Sequence, residues 1–287
     1  MKEALAALRL AAPAKLNLSL RVVGRRPDGF HELDGVMVLL DLADDLVLAA
    51  GGEGLLMEPA SSEVPPDTAS NLAWRGLVAG LAGTPQGVSL SLTKRIPVEA
   101  GLGGGSSDAA AGWRLGRRRT GAPERPSAAE LTDLARIGAD VPFFAAQAAV
   151  ARVSGIGERV ELIERPPGMG DEVVLALAPF PLSTAAVFAE LREADWGRGG
   201  PEGNDLLLTA RRIRPEIDDL ARLMVAAGAD PHLSGSGPTL FALLDDPERA
   251  DAVASRLNRG GLDMLRTRVR KEPASIETEA VSMKVKQ

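Results

Sequence analysis

The chain has 287 residues, 45% of them apolar and 25% charged, which is ordinary globular chemistry with enough material for a core that needs neither metal nor disulfide. A net charge of −6 without a basic stripe argues against a nucleic-acid footprint, and the absence of cysteine excludes disulfides, thiolate nucleophiles and thiolate zinc sites. His31 and His232 are the only histidines, too few for a multi-histidine metal site, and no apolar run reaches the about 18 residues that a membrane span requires. The length corresponds to about two domains, and the lack of cysteine fits a reducing, cytoplasmic setting.

Residues 4–14 are apolar and small, but Glu3 and Arg9 interrupt them and Lys15 follows inside a strand pattern, so they read as mature protein and not as a signal peptide. In that pattern Leu16, Leu18, Leu20 and Val22 alternate with Lys15, Asn17, Ser19 and Arg21, the period of a half-buried strand. Lys15 and Asn17 therefore share a face. A turn with Pro27 spans 24–29, strands are predicted at 36–42 and 46–50, and a hairpin at 51–54 leads into 55–58. Residues 64–67 form a Pro-rich loop, Ser70 is a cap for a helix to about Ala82, and Val88, Leu90 and Leu92 mark another strand.

An alanine-rich helix is predicted from Ser107 to about Arg118, with Arg117, Arg118 and Arg119 as its solvated C-terminal end. Ser127 and Glu130 form a capping box for a helix that ends before Gly138. Strands at 149–153 and 159–163 precede the proline- and glycine-rich stretch 165–170, the candidate domain boundary. Beyond it the pattern reads strand 173–178, helix 184–194, helices 205–213 and 216–227, strand 239–244, helix 248–257 and strand 262–269. Mixed elements without strict alternation indicate an α+β protein. The expected division is a domain over 1–165, a second over 166–271 and a loose tail over 272–287.

The stretch Ala100-Gly101-Leu102-Gly103-Gly104-Gly105-Ser106-Ser107-Asp108 carries the clearest chemistry. Four of residues 101–105 are glycine, which frees the backbone for φ > 0 and for close approach to a ligand. The loop opens into a helix N-terminus, whose unpaired N–H groups and roughly half positive charge suit a phosphate. It is neither a Walker A loop, because no Gly-Lys-Ser/Thr occurs, nor a dinucleotide fingerprint, because the glycine spacing fails. The alternative is a tight strand-to-helix turn. Ser106 and Ser107 can offer hydroxyls to phosphate or, at Ser107, to Mg²⁺. Asp108 is unfavourable beside a polyphosphate and reads as a residue that caps or orients the loop. A second glycine loop, Ser234-Gly235-Ser236-Gly237-Pro238, precedes a strand and is either an ordinary turn or a second ligand contact.

Gly138-Ala139-Asp140-Val141-Pro142-Phe143-Phe144 places one carboxylate in apolar surroundings, where a charge is paired or functional. The other reading is an N-cap for a segment beginning at Val141, with Pro142 in its first turn.

Pro13-Ala14-Lys15-Leu16-Asn17-Leu18, Ile96-Pro97 with residues 100–111, residues 138–144 and residues 234–241 resemble, in order, the signature blocks of the galactokinase–homoserine kinase–mevalonate kinase (GHMP kinase) superfamily. The resemblance runs from about Ala11 to Leu244. It implies an N-terminal half like ribosomal protein S5 domain 2, a ferredoxin-like C-terminal half, and transfer of the γ-phosphoryl group of ATP, with Mg²⁺, to a small-molecule alcohol. It further implies Asp140 as the base on the acceptor hydroxyl, Lys15 beside the same oxygen, and Asn17 holding the acceptor. Asn71 and Leu72 match positions that contact adenine. Lys94, Pro97, Val98, Glu99 and Ala100 join Gly101, Leu102, Gly103, Gly104, Gly105, Ser106 and Ser107 around the triphosphate, with Arg95 a further candidate phosphate neutraliser. Pro27-Asp28-Gly29-Phe30-His31-Glu32-Leu33 is the most member-specific block and resembles that of members whose alcohol carries a cytidine diphosphate. Phe30 would stack on the pyrimidine and His31 would meet its edge. Phe30 stands where the family often has tyrosine, which keeps the stacking and loses a hydroxyl. Val153-Ser154 before Gly155 departs from the family's more direct run into glycine and predicts a local backbone difference. No protein partner is implied. The rival functions are another kinase of the superfamily, acting on a mevalonate derivative, homoserine or a sugar, and a nucleotide sensor without catalysis, against which Lys15 and Asp140 together argue. A serine hydrolase has no Gly-x-Ser-x-Gly elbow here.

Overall fold

The computed structural model describes residues 6–58, 68–83, 85–198 and 203–280. Two antiparallel strands of 20 residues, β1 (Ala6–Arg25) and β2 (His31–Ala50), form the spine of a seven-stranded sheet. On the outer edge of β2, residues 33–38 pair with β5 (Val150–Gly155) and residues 45–50 pair with β4 (Val88–Thr93). β3 (Gly54–Glu58) runs parallel to β4, and β6 (Arg159–Leu162) adds to β5. A four-stranded sheet carries β7 (Glu172–Ala176), β8 (His232–Leu233), β9 (Leu240–Leu244) and β10 (Met264–Arg268) in the order β10-β7-β9-β8.

The two sheets meet at the stretch of β2 that neither β4 nor β5 covers. There the Leu42 amide donates to Thr267 Oγ1 (3.0 Å), the Arg270 amide donates to the Leu39 carbonyl (2.8 Å), and Leu40 bridges Val269. Side chains seal the same seam. Leu16, Val38, Leu40, Ile96 and Leu102 from one half form a single buried cluster with Val173, Leu175 and Phe241 from the other. At about 1.5–3 kcal/mol for each fully buried large side chain, this seam holds the halves in one relative position. Val174 and Ala176, the alternate residues of β7, instead face α7 (Glu216–Ala226) and α8 (Pro247–Arg259) through Leu220, Met224, Val253 and Leu257.

Behind the first sheet lie α1 (Leu72–Leu81) and α2 (Gly104–Thr120), whose backbones approach unusually closely. A Cβ on Gly76 would stand 1.9 Å from the Ala109 carbonyl oxygen, and one on Gly112 would stand 2.2 Å from that of Ala73. Only glycine permits this crossing, and it presses the start of α2 against the start of α1. Three shorter helices complete the site's surroundings: α3 (Ala128–Ala135), α4 (Val141–Ala145) and α5 (Thr184–Glu190). α6 (Leu207–Ile213) follows α5 in the chain.

The α+β architecture is as expected, with five local corrections. The connection read as a hairpin at 51–54 is not one, because β3 does not turn back on β2 but runs parallel to β4 on its far side. The strands read at 36–42 and 46–50 are one strand, β2. The intervening Asp44 and Asp45, which resemble a turn, are absorbed by partners: Asp44 is buried on Lys94, and Asp45 Oδ2 pairs with Arg9 at 2.8 Å. The cap of α1 is Asn71, whose Oδ1 accepts from the Ala73 (3.0 Å) and Trp74 (3.4 Å) amides, and not Ser70. The helix read at 184–194 ends at Glu190, and a single 3₁₀ turn covers Glu193–Asp195. The segment after Glu272 is not loose within the described residues. Ala274 is buried, the Arg114 guanidinium donates to its carbonyl (2.9 Å), and β11 (Glu277–Ala280) pairs with the start of β1. The Pro-rich loop at 64–67 and residues 281–287 lie outside the described residues.

Candidate active site

Lys15 reaches the site because β1 is irregular on either side of it. The β1–β2 register shifts between Pro13 and Lys15 and again between Asn17 and Ser19, and such bulges re-aim side chains. The Lys15 amide donates to the Leu102 carbonyl of the glycine loop (2.9 Å), which docks that loop onto the strand. The Lys15 side chain is buried, with Nζ 2.5 Å from Asn17 Oδ1 and 3.4 Å from Asp140 Oδ2. Asp140 occupies the N-cap position of α4, yet its side chain makes no capping hydrogen bond. Of the two readings of Asp140, the capping one therefore lacks its hydrogen bond, and the carboxylate meets Lys15 instead while remaining 28% exposed. An ammonium and a partly solvated carboxylate beside one opening form a device for handling the proton of a hydroxyl.

The glycine loop does what its composition requires. Gly101 and Gly103 both sit at φ +72°, and Gly103 is the cap from which α2 starts, three residues earlier than expected. A Cβ on Gly103 would lie 3.0 Å from both Lys15 Cγ and Phe144 Cζ, so the loop needs bare backbone to pass there. The second glycine loop supports the first. Ser234 Oγ donates to the Gly101 carbonyl (3.1 Å), and a Cβ on Gly101 would lie 2.7 Å from the Ser234 and Gly237 carbonyl oxygens.

One cavity of about 570 Å³ is lined by both glycine loops, by Lys15, Asn17 and Asp140, by Asn71 and Leu72, and by Lys94 and residues 97–100. It thus gathers most of the expected site residues. Four do not line it, of which Arg95 is exposed just after β4. Ser107 is buried behind the loop, because the alternation of α2 turns Ser106 and not Ser107 toward the cavity. Phe30 stands 59% exposed at the β1–β2 turn. His31 contributes through a neighbour: its ring stacks on Phe188 at 5.5 Å, and Phe188 lines the cavity. Burial, then the Arg25 charge, lowers the His31 pKa and favours the neutral imidazole. Trp196 meets the same imidazole edge-on at 6.2 Å.

Lys94 is placed in the cavity wall, but its ammonium is already held by carboxylates. It pairs with Asp44 and, at 2.7 Å, with Asp108 Oδ2. Asp44 Oδ1 also accepts from the Arg95 (2.5 Å) and Ile96 (2.8 Å) amides, which fixes the turn from β4 toward the glycine loop. Burial pushes the Asp108 pKa up to about 8; the Lys94 charge opposes this and the Asp44 charge adds to it. Burial lowers the Lys94 pKa, but the Asp108 and Asp44 charges outweigh burial and raise it overall. Asp108 is thus engaged by Lys94 and makes no capping hydrogen bond at the start of α2. Asp44, Phe188 and Thr184 were not singled out in the sequence, although Thr184 and Phe188 at i, i+4 place two side chains on one helix face.

A helix-borne glycine loop facing a lysine–aspartate pair in a cleft between two α+β halves defines a GHMP-type phosphotransferase. The sequence matches the family "GHMP kinases N terminal domain" over residues 71–147 and "GHMP kinases C terminal" over residues 187–262. The 4-diphosphocytidyl-2-C-methyl-D-erythritol kinase of Geobacillus thermodenitrificans (strain NG80-2) is 36% identical over 288 residues, covering 90% of this chain and 95% of that protein. That of Geobacter metallireducens (strain ATCC 53774 / DSM 7210 / GS-15) is 37% identical, covering 87% and 94%. A crystal structure of 4-(cytidine 5'-diphospho)-2C-methyl-D-erythritol kinase superposes with a TM-score of 0.73 at 33% identity, over 91% of this chain and 98% of that one. A homoserine kinase from Cytophaga hutchinsonii ATCC 33406, at 18% identity and a TM-score of 0.67 with 96% and 98% covered, shares the fold. The chain belongs to the 4-diphosphocytidyl-2-C-methyl-D-erythritol kinase family, and it is an ATP-dependent phosphotransferase.

One consequence concerns Gly101. Alanine there must adopt φ +72° and press on two backbone carbonyls that cannot swing aside. Such backbone strain costs about 1–3 kcal/mol, and each 1.4 kcal/mol corresponds to about tenfold. Gly101→Ala is expected to lower kcat/KM for ATP by about tenfold or more, as read from initial rates over a range of ATP concentrations. An unchanged value would mean that the two glycine loops need not touch.

Proposed function

We propose that the enzyme transfers the γ-phosphoryl group of ATP to the 2-hydroxyl of 4-diphosphocytidyl-2-C-methyl-D-erythritol. The observation that carries this reading is the buried Lys15 ammonium, held between Asn17 and Asp140 beside the glycine loop. The unpaired amides in the first turn of α2 receive phosphate oxygens, aided by the helix dipole. Asn71 and Leu72, whose side of the wall adjoins Gly105, receive adenine. The acceptor oxygen attacks the γ-phosphorus, the bond from that phosphorus to the β–γ bridging oxygen breaks, and ADP leaves. Asp140 takes the hydroxyl proton. Lys15 offsets charge at the same oxygen, and Asn17 orients it. Little covalent work falls to the protein in such a transfer, and positioning with charge stabilisation supplies most of the rate.

His31 and Phe188 supply a polar edge and an apolar face suited to a pyrimidine. Phe30, exposed at the neighbouring turn, offers a further aromatic face. Mg²⁺ entering with ATP would neutralise charge on the β- and γ-phosphates. Two hard oxygens at the start of α2, Ser107 Oγ and Asp108 Oδ1, are buried without a hydrogen-bond partner among the described residues, but only Asp108 lines the cavity, so Asp108 and not Ser107 would face the ion. No helix among the described residues is long and apolar enough to cross a membrane. The demand for ATP and the absence of cysteine support a cytoplasmic setting.

The test is ADP release, with 4-diphosphocytidyl-2-C-methyl-D-erythritol, mevalonate, homoserine and galactose compared as acceptors. Turnover is expected with the cytidylyl alcohol alone. Turnover with one of the others and none with the cytidylyl alcohol would overturn the assignment.

A further inference from the structure

The second glycine loop touches both the phosphate loop and the acceptor site. Ser234 Oγ donates to the Gly101 carbonyl (3.1 Å). Gly235, at φ +60°, lines the cavity, and a Cβ built there would lie 3.1 Å from Lys15 Nζ and 3.2 Å from Asn17 Oδ1. Two serines of the loop tether it through their side chains, Ser234 on the Gly101 carbonyl and Ser236 Oγ on Thr184 Oγ1 (2.7 Å), but Gly235, the residue against Lys15 and Asn17, has no side chain to hold it there. The Gly235 backbone is held from outside the loop.

Asn204 supplies that hold. Its side chain is buried, and Nδ2 donates to the Leu233 carbonyl at 3.0 Å and to the Gly235 carbonyl at 2.6 Å. Its Oδ1 accepts from the Leu206 amide at 2.9 Å, so both ends of the amide are engaged and its orientation is fixed. The backbone around it is anchored to the strand that carries Lys15. The Leu20 amide donates to the Gly203 carbonyl (3.0 Å), and the Asp205 amide donates to the Leu20 carbonyl (2.9 Å). Asp205 Oδ2 then accepts from the Val22 amide at 2.9 Å. Asn204 therefore joins two things that must stay in register: β1, with Lys15 and Asn17, and the loop that packs on them.

We infer that Asn204 is a positioning residue for phosphoryl transfer: it staples the second glycine loop against Lys15, Asn17 and Gly101, and so sets the acceptor oxygen in line with the γ-phosphate. It touches no reacting atom and does not line the cavity. Reacting atoms are tolerant to only a fraction of an ångström, and a displacement of about 1 Å can cost about 10²-fold in rate. The loss should therefore fall on kcat, because the adenine end of the nucleotide site, at Asn71 and Leu72, is held by other elements.

This inference rests on the kinase reading above, and one assay series separates the two. If the unaltered enzyme phosphorylates none of the tested alcohols, the kinase reading fails first. If it does, kcat and both KM values are measured for Asn204→Ala and for Arg212→Ala. The latter breaks the Asp195–Arg212 pair (2.6 Å) in the same half of the molecule without contact to either glycine loop. Asn204→Ala is expected to lower kcat by about ten- to a hundredfold with the ATP KM nearly unchanged. Arg212→Ala is expected to lower the melting temperature while leaving kcat alone. Asn204→Asp, which keeps the acceptor for the Leu206 amide and removes the amide donors, should reproduce the kcat loss, and it decides the matter if the alanine variant does not fold. Wild-type kcat in a folded Asn204 variant would overturn the inference, and so would an equal kcat loss in Arg212→Ala.

Discussion

Asp140→Asn lowers kcat by about 10²–10⁴-fold, the range that a positioned general base contributes, and leaves the ATP KM close to its original value. The substitution is nearly isosteric, and the native side chain makes no capping hydrogen bond that the amide could lose. Lys15 keeps Asn17 as a partner at 2.5 Å, so the buried ammonium is not stranded when the carboxylate goes. In the proposed mechanism phosphate is held by the α2 amides and the glycine loop, which Asp140 does not support. The check pairs steady-state ADP release with calorimetric titration of ATP into the acceptor-free enzyme. Full activity in the variant would remove Asp140 from the proton's path. Weakened ATP binding with kcat preserved would make it a nucleotide contact instead.

The chemistry of this site was readable where one residue type has one local consequence. Period-two alternation places Lys15 and Asn17 on one face, and four glycines ahead of an alanine run announce an open backbone at a helix start. Neither inference needs a distant partner. Asp44 shows the opposite case. Beside Asp45 it resembles the end of a strand, and only the burial of Lys94 against it explains why β2 continues through two adjacent acids. Asn204 and Phe188 acquire meaning only when the second half folds against the first. β11 has too few apolar residues to predict itself and exists because the edge of β1 is there to pair with it. Glycine inside a helix costs stability by propensity alone, and the use of Gly76 and Gly112 is visible only in the fold, where they allow the helix crossing that brings Asn71 toward the glycine loop. Local pattern thus marked the strand face of Lys15 and Asn17 and the open backbone of the glycine loop, whereas the roles of Lys15 and Asp140 follow from the family resemblance. The walls that orient them are tertiary.

Replacing Lys15 by methionine carries the second large effect. Methionine keeps an unbranched apolar stem of similar length, so the packing near Gly103 and Phe144 survives while the ammonium is removed. Loss of a preorganised charge aimed at a developing oxyanion costs about 10²–10³-fold in kcat, and Lys15→Met is expected to fall in that range with the ATP site still competent to bind. The double variant Lys15→Met, Asp140→Asn discriminates further. Lys15 Nζ and Asp140 Oδ2 are 3.4 Å apart, and in the proposed mechanism, where both act on one hydroxyl, each is of little use to the reaction once the other is gone. The combined loss should be close to that of the worse single variant, as happens when residues work as a unit. Fully multiplicative losses would instead assign them to separate steps: Lys15 to charge on the transferring phosphoryl group, and Asp140 alone to the proton.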